Sequence, residues 1–257
     1  MIEETRDDVV VESRDGVGRI LLNRPDRHNA LLPQMYKDIT AGMDTLQADP
    51  EVRVILLEGA GKSFSSGFDL GFKRPPTTLA DRAKQNIADI GNEARWRIWD
   101  SPKPVVAKIR GYCLGGGFEL VAPTDFTICA DDAQLGLPEI QFGSGSAFLM
   151  LPWMVNAKVA KDVLLTGRRL SGTEAAQMSL VTRAVAPDQL DAAVDDLVGQ
   201  LLQMPPGAIA FAKQGLNAAY EAQGMRAAIN GWRSSAILMG ALTQQPTDNY
   251  LKMNSSR

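Results

Sequence analysis

The hydrophobic pattern alternates between two periods along the chain, and this alternation predicts an α/β architecture. Short apolar runs predict strands, and these runs are Val9–Glu12, Arg19–Leu22, Val52–Leu57, Val105–Ile109 and Phe126–Cys129. Asp15-Gly16 lies between the first two runs and is a hairpin signal. Three- and four-residue spacing predicts an amphipathic helix with apolar positions at Leu32, Met35, Ile39, Met43 and Leu46. Turns rich in small residues follow the later strands, which is typical of repeated α/β units.

Beyond Gly167 the spacing of the apolar positions becomes helical. Ser171 and Glu174 have the spacing of a capping box. Two helical stripes follow, Leu190, Val194, Leu197 and Leu201, then Met225, Ile229, Trp232, Ala236 and Met239. We therefore predict an α/β core over residues 1–195 and a C-terminal helical region over residues 196–257. The stripes predict an apolar face without indicating what covers it.

Composition narrows the class of protein. A chain of 257 residues can bury roughly three-quarters of its unfolded surface, so a large core is expected. The net charge of −3 gives no reason to expect a nucleic-acid partner. Two cysteines, Cys113 and Cys129, are too few for a disulfide framework and are expected in the core. With an acidic start that lacks a hydrophobic signal segment, these features favour a cytoplasmic protein.

The stretch Ile140–Ala157 carries no charge and is almost long enough to span a membrane as a helix. It contains several polar residues, glycines and a proline, so it is neither uniformly apolar nor a good continuous helix. We expect a buried loop followed by a helix, and no membrane partner.

Two turns rich in small residues are the main candidates for chemistry. Residues 61–70 follow the predicted strand that ends at Leu57, and residues 111–120 follow the one that ends at Ile109. Glycine lets the backbone approach a ligand closely. Two such turns side by side can direct two peptide N–H groups at one oxygen, which is the requirement for an oxyanion hole.

Two carboxylates complete this candidate site. Glu119 lies in the second turn, and Glu139 follows Pro138 twenty positions later. Taken singly, each fits an ordinary first turn of a helix, where a carboxylate is mildly favourable. Two carboxylates that share a site cannot both ionise cheaply, so one is expected to have a raised pKa and to act as an acid.

With these motifs the chain resembles the enoyl-CoA hydratase/isomerase (crotonase) superfamily, from about Val9 to Leu216. The matching motifs, in chain order, are Asn23-Arg24-Pro25, Asn29-Ala30-Leu31, Ser65-Ser66-Gly67-Phe68-Asp69-Leu70, Gly115-Gly116-Gly117-Phe118-Glu119-Leu120, Pro138-Glu139, Leu165-Thr166-Gly167 and Leu180-Val181. The resemblance implies a crotonase-like spiral of repeated ββα units with a C-terminal helical region. It also implies a homotrimer or a hexamer formed by two trimers, with the active site in residues 1–195 and the oligomerisation region in residues 196–257.

The resemblance assigns roles to individual residues. The N–H groups of Phe68 and Gly116 would form the oxyanion hole, Glu119 would act as base on water, and Glu139 would exchange a proton with C2. The positions that match the substrate- and CoA-binding motif are Arg27, His28, Ala30, Ser66, Phe68, Asp69, Leu70, Leu114, Gly115 and Gly116. The implied activity is hydration of a 2-enoyl-CoA, with no metal and no cofactor beyond the CoA of the substrate.

Alternatives within the family stay open, whereas three other classes of function are disfavoured. A 3-enoyl/2-enoyl-CoA isomerase or another acyl-CoA lyase of the same family stays open, because one fold hosts several chemistries. A non-catalytic acyl-CoA-binding protein is disfavoured by the presence of both Glu119 and Glu139. Gly59–Ser63 resembles a phosphate-binding loop but has Leu56 where that motif needs glycine. A serine hydrolase is disfavoured because His28 is the only histidine and no G-x-S-x-G motif occurs.

Several residues have two open interpretations. His28 is either a surface loop residue or a CoA contact. Ile87, Ile90, Ala94, Trp96 and Trp99 either line an acyl pocket or pack in the core. The basic residues Arg24, Arg27, Lys62 and Lys73 are candidates to meet the CoA phosphates, or are simply solvated. The chain departs from the family pattern at residues 143–148, which lack the usual Pro-Gly turn, and at residues 246–257.

Overall fold

The computed structural model describes residues 7–72, 87–143 and 145–242. The strands are, in chain order, β1 (Val9–Arg14), β2 (Val17–Leu22), β3 (Val54–Gly59), β4 (Val105–Ile109), β5 (Tyr112–Leu114), β6 (Phe126–Ala130), β7 (Gln134–Gly136), β8 (Leu170–Ser171) and β9 (Arg183–Val185). The α-helices are α1 (Pro33–Ala48), α2 (Ile87–Trp99), α3 (Gly116–Val121), α4 (Leu151–Met154), α5 (Ala157–Thr166), α6 (Gly172–Gln177), α7 (Leu190–Gln203), α8 (Pro206–Ala222) and α9 (Met225–Leu242). Short 3-10 helices occur at Pro25–Arg27, Pro138–Phe142 and Pro187–Gln189.

The strands form two sheets. The larger has the order β1-β2-β3-β4-β6-β9, in which β1 is antiparallel to β2 and the other pairs are parallel. The smaller has the order β5-β7-β8. Strand β4 of the larger sheet leads to β5 of the smaller, and β6 leads to β7 in the same way. This repeated step between the sheets confirms the predicted spiral of ββα units.

The central strands read as continuous apolar runs because both faces are covered. The first five residues of β3 are buried, and so are four of the five residues of β4. Strands buried on both faces are characteristic of parallel sheets flanked by helices. Helix α1 packs its predicted stripe into this core, and Pro33 begins it as expected.

Several local predictions are confirmed, with one shifted boundary. Asp15 and Gly16 adopt positive φ angles of 51° and 83° in the β1–β2 hairpin. Ser171 and Glu174 form both hydrogen bonds of a capping box. Strand β3 begins at Val54 rather than at Val52, because the N–H groups of Arg53 and Val54 both donate to Gly16 O before the ladder starts.

The two C-terminal stripes have different environments. In α7, Leu190 and Val194 are buried in the main core. In α9, Met225 and Ile229 are buried against Phe148 in a second, smaller cluster of the same chain. The side chains of Ala236 and Met239 lie outside the described part of the chain. The division at residue 195 stays a prediction, and α7 runs across it.

The uncharged stretch forms the expected loop with short helices, α4 and the start of α5. Phe148 and Leu151 are buried, whereas Ile140 is exposed. Among the described residues, no helix is both long and apolar enough to cross a bilayer.

Candidate active site

The smaller sheet brings the two predicted glutamates to one place. Strands β5 and β7 are parallel neighbours, so the segments that follow them leave the same edge. The N–H of Gly115 donates to Gly136 O at 2.9 Å, which fixes the two segments together. Glu119 then lies in the first turn of α3, and Glu139 in the 3-10 helix after β7.

The two predicted oxyanion donors lie on touching turns. The N–H of Leu114 donates to Ser65 O at 3.0 Å, and Ser65 N–H donates to Tyr112 O at 2.8 Å. A Cβ atom on Gly67 would lie 2.8 Å from Leu114 O and 3.5 Å from Gly116 N, and its φ is +96°. Only glycine fits this contact, because a side chain would clash with the neighbouring backbone.

Phe68 and Gly116 are therefore neighbours across this contact. A Cβ atom on Gly116 would lie 3.7 Å from Phe68 N. Gly116 is the first residue of α3, where backbone N–H groups have no acceptor within the helix. The two predicted donors thus lie on adjacent backbone segments, which an oxyanion hole requires.

Glu119 is buried among hydrogen-bond donors. Its Oε2 atom lies 2.5 Å from Arg95 Nη2, and the two side chains are only 6% and 4% exposed. Its Oε1 atom accepts from Ser146 Oγ and from Phe148 N–H, the latter at 3.2 Å. Hydrogen bonds from a guanidinium and a peptide N–H favour the ionised form of a carboxyl group.

Glu139 has a different environment. Its Oε1 atom lies 2.6 Å from the point that a Cβ on Gly115 would occupy, and its buried Oε2 atom has no hydrogen-bond partner. Burial, followed by the charge of Glu119, raises the pKa of Glu139 from 4.5 to about 8. The expected acid of the pair is thus Glu139, which keeps its proton at neutral pH.

Tyr36 lies against Gly116 at the start of α3. Its hydroxyl lies 2.5 Å from the point that a Cβ on Gly116 would occupy, and it accepts a 3.4 Å hydrogen bond from Arg95 Nη2. Burial raises the pKa of Tyr36 to about 12, so the phenol stays protonated in neutral solution.

The loop that matches the CoA-binding motif is held by internal hydrogen bonds. Asn29 is buried, and its side-chain amide donates to Ala60 O and Ser63 O. His28 Nδ1 lies 3.0 Å from Ser63 Oγ, and the His28 ring makes an edge contact with Tyr112. The imidazole is thus anchored at the surface, and both interpretations of His28 stay open.

Arg24 has a structural role that differs from the phosphate contact considered for it. Its guanidinium donates to Ala30 O at 2.5 Å and to Asp69 Oδ2 at 3.1 Å, and lies 3.7 Å from Asp8 Oδ1. The charge of Arg24 is therefore balanced by two carboxylates. It joins the Ala30 loop to the turn that contains Asp69.

The other predicted binding residues differ in how far they are buried. Ser66 is half-buried and donates its N–H to His28 O, while Leu114 is buried beside Gly115. Arg27 and Leu70 of the predicted binding set are exposed, and so is Lys62, one of the basic candidates for the CoA phosphates. Lys73 lies outside the described residues.

Three residues around Glu119 were missed by the sequence reasoning. Arg95 comes from α2, whereas Ser146 and Phe148 come from the loop that departs from the family pattern. That loop therefore contacts Glu119, the predicted base, directly. One signal was available for Arg95, which has helical spacing to Ile98 and Trp99, where a charged side chain is unusual.

The tryptophans of α2 pack against other aromatic side chains. Trp96 makes an edge contact with Phe148, and Trp99 does so with Tyr220 of α8. Trp99 also borders a cavity of about 430 Å³ between the core and the C-terminal helices, which neither glutamate lines. Ala94 and Ile90 belong to the main core. These contacts favour core packing over an acyl pocket, and the side chain of Ile87 lies outside the described part.

Both cysteines are buried and unpaired, as expected for core residues. Within the described ranges, no group of three or more His, Cys, Asp or Glu side chains is arranged to hold a metal ion.

The chain is similar in sequence to known proteins of one family. The sequence model of the family "Enoyl-CoA hydratase/isomerase" matches residues 12–232. A hydroxycinnamoyl-CoA hydratase-lyase from Pseudomonas fluorescens is 32% identical over 80% of this chain and 77% of its own length. A carnitinyl-CoA dehydratase from Salmonella arizonae is 35% identical over 76% of this chain and 74% of its own.

A solved structure agrees with the fold. The crystal structure of an enoyl-CoA hydratase/isomerase from Xanthobacter autotrophicus Py2 superposes with a TM-score of 0.84 at 36% identity, and the match covers 91% of this chain and 88% of that one. This chain therefore belongs to the enoyl-CoA hydratase/isomerase family of the crotonase superfamily. Members of the family act on acyl-CoA substrates, and the comparisons support hydratase or lyase chemistry at that level.

Proposed function

We propose that this protein adds water reversibly to the 2,3 double bond of a 2-enoyl-CoA thioester, without a metal ion and without a cofactor other than the CoA of its substrate. The main support for the proposal is that two buried carboxyl groups beside one glycine turn have different hydrogen-bond environments. Glu119 is surrounded by donors, while Glu139 keeps a proton against Gly115. Addition of water needs one group of each kind.

The backbone would stabilise the charge that develops during the reaction. The thioester oxygen would accept hydrogen bonds from the N–H groups of Phe68 and Gly116. Negative charge builds on that oxygen as the oxygen of water bonds to C3. Removing one donor of this kind typically costs roughly a hundred- to a thousandfold in rate, so the turn geometry matters as much as the carboxylates.

The two glutamates would move the protons. Glu119 takes a proton from water as the C3–O bond forms, and Glu139 gives its proton to C2. After one addition Glu119 carries a proton and Glu139 is ionised. The proton then returns to Glu139 before the next turnover, so no oxidant, reductant or metal is needed.

A second reaction, isomerisation between 3-enoyl and 2-enoyl thioesters, has one observation in its favour. Glu119 already accepts hydrogen bonds from Arg95, Ser146 and Phe148. Isomerisation moves a proton along the carbon chain and can use Glu139 alone. A purely acyl-CoA-binding protein is disfavoured, because a buried and unpaired carboxyl such as that of Glu139 destabilises the fold without serving binding.

The test is turnover in D₂O with a chelator present. The panel contains aliphatic 2-enoyl- and 3-enoyl-CoAs of several lengths, a hydroxycinnamoyl-CoA and carnitinyl-CoA. We expect hydration of at least one 2-enoyl-CoA with one solvent deuterium at C2. Conversion of 3-enoyl to 2-enoyl thioesters without hydration would identify an isomerase. Activity lost to the chelator and restored by a divalent cation would contradict the metal-free mechanism.

A further inference from the structure

Arg95 is held rigidly beside Glu119 by groups from three elements. Its Nη1 atom donates to Asn92 Oδ1 at 2.9 Å, one turn earlier in α2. Its guanidinium carbon lies 5.4 Å from the centre of the Tyr36 ring and 5.5 Å from that of the Phe148 ring. A planar guanidinium stacked in this way has little freedom to leave its partner.

The contacts of Glu119 set the hydrogen-bond roles of its two carboxyl oxygens. The Arg95 guanidinium and the Phe148 N–H can only donate, so both oxygens of Glu119 must act as acceptors toward them. The titratable and charged groups that face Glu119 in the described residues are Arg95 from α2, Tyr36 from α1 and Glu139 from the 3-10 helix. Of these, Arg95 alone carries a positive charge.

The proton shared by the two glutamates then has one favourable location. Glu139 has an oxygen atom without a partner, and no guanidinium contacts it among the described residues. A proton on Glu139 removes a second negative charge from the buried site, whereas a proton on Glu119 would remove the partner of Arg95. Breaking a buried ion pair in this way is strongly unfavourable.

We propose that Arg95 is a positioning residue that keeps Glu119 ionised as the base and thereby assigns the proton of the pair to Glu139 as the acid. This inference rests on the proposed hydration. Arg95 touches Glu119 and not the reacting atoms, so its effect is on which glutamate holds the proton. Without the charge of Arg95, the two carboxyls compete for that proton, and part of the enzyme carries it on the wrong residue.

The test compares charge with packing at position 95. Arg95→Lys keeps a cation, and Arg95→Gln keeps a neutral donor of intermediate length. Arg97→Met is the matched control, because Arg97 lies on the same helix in an exposed ion pair with Asp44. The measurement is the pH dependence of kcat/KM for the best substrate of the panel.

We expect Arg95→Gln to move the acid limb of the profile upward by about one to three pH units, the scale of losing an opposite charge at hydrogen-bond distance. Arg95→Lys should move it by less than Arg95→Gln does, and Arg97→Met should leave it in place. A merely structural role for Arg95 would lower activity equally at all pH values. An Arg95→Gln profile of unchanged shape would therefore overturn the proposal.

A second measurement separates this inference from the proposed function, because it needs no turnover. The protein is labelled with ¹³C at the glutamate side-chain carboxyls, and the two signals are assigned with Glu119→Gln and Glu139→Gln. In the wild-type chain at pH 6 we expect an ionised signal for Glu119 and a protonated one for Glu139. A protonated Glu119 at that pH overturns the proposal even if Arg95→Gln does not fold. Absence of hydration with the expected signals would instead reject only the proposed function.

Discussion

The Oε1 atom of Glu139 lies 2.6 Å from the point that a Cβ atom on Gly115 would occupy. The glycine thus makes room for the carboxyl group, and no larger residue can replace it without moving Glu139. Glu119 lies four residues further along the same segment, so this contact also sets the relation between the two glutamates.

Gly115→Ala should therefore lose hydration by about a hundredfold or more, the cost of a displacement of about 1 Å in an active site. Gly115 has φ 52° and ψ −124°, a backbone conformation outside the regions allowed to alanine, so backbone strain adds to the loss. Gly199→Ala is the control, because Gly199 lies in α7 with open space around it and alanine favours a helix. A folded Gly115→Ala protein with wild-type kcat would show that the contact is unimportant.

Glu139→Gln should stabilise the fold near neutral pH. The folded chain holds this proton more tightly than the unfolded chain, since the pKa of Glu139 rises from 4.5 to about 8. The stability that protonation contributes is fully present below pH 4.5 and is lost as the pH rises through about 8. Glutamine mimics the protonated form, so urea unfolding should show a gain of up to about 4 kcal/mol at pH 7.5 and little gain at pH 4.

The control for this prediction is Glu93→Gln, since Glu93 is exposed on α2. It should leave the pH dependence of stability unchanged. Equal stability of wild type and Glu139→Gln at pH 7.5 would mean that Glu139 is ionised there, contrary to the assigned role.

Trp232→Phe should lower kcat through the loop that holds Glu119. The indole Nε1–H of Trp232 donates to Ser146 O at 3.0 Å, and Ser146 Oγ donates to Glu119. Loss of one hydrogen bond of about 1 kcal/mol corresponds to roughly a fivefold decrease in kcat. Tyr220→Phe on α8 keeps its ring contact and serves as the control. An unchanged kcat in Trp232→Phe would show that α9 does not influence the loop.

The protein should form a homotrimer or a hexamer, as the family resemblance implies. Helix α8 exposes Phe211 and Leu216, whose side chains are 80% and 65% exposed in the single chain. Apolar surface of this kind is often covered by a partner. Light scattering at micromolar concentration should give three or six times the chain mass, and a single monomeric mass would contradict this prediction.

The fold was largely predictable because its signals are local. Asp15-Gly16 needs only two residues to specify a hairpin, and the capping box at Ser171 needs four. The short strands β5 and β7 were not predicted, because three residues are too few to show a period. Their pairing nevertheless places Glu139 beside Gly115.

The environment of Glu119 could not be read from the sequence for a different reason. Arg95 lies 24 positions before Glu119 and Ser146 lies 27 after it, so both contacts depend on tertiary packing. A motif identifies the glutamates but not their neighbours. For that reason, the sequence predicted one raised pKa in the pair without identifying which carboxyl would have it.

The measurement that tests the central claim most directly is the hydration rate of Glu119→Gln and Glu139→Gln beside the wild-type chain. The amide keeps the shape of each side chain, so binding of a saturated acyl-CoA should survive in both variants. Glu119→Gln should lose hydration by on the order of a hundredfold or more while it retains proton exchange at C2, and Glu139→Gln should lose both. If Glu119→Gln hydrates at the wild-type rate while Glu139→Gln is inactive, the protein is a one-carboxylate enzyme and the hydratase assignment is wrong.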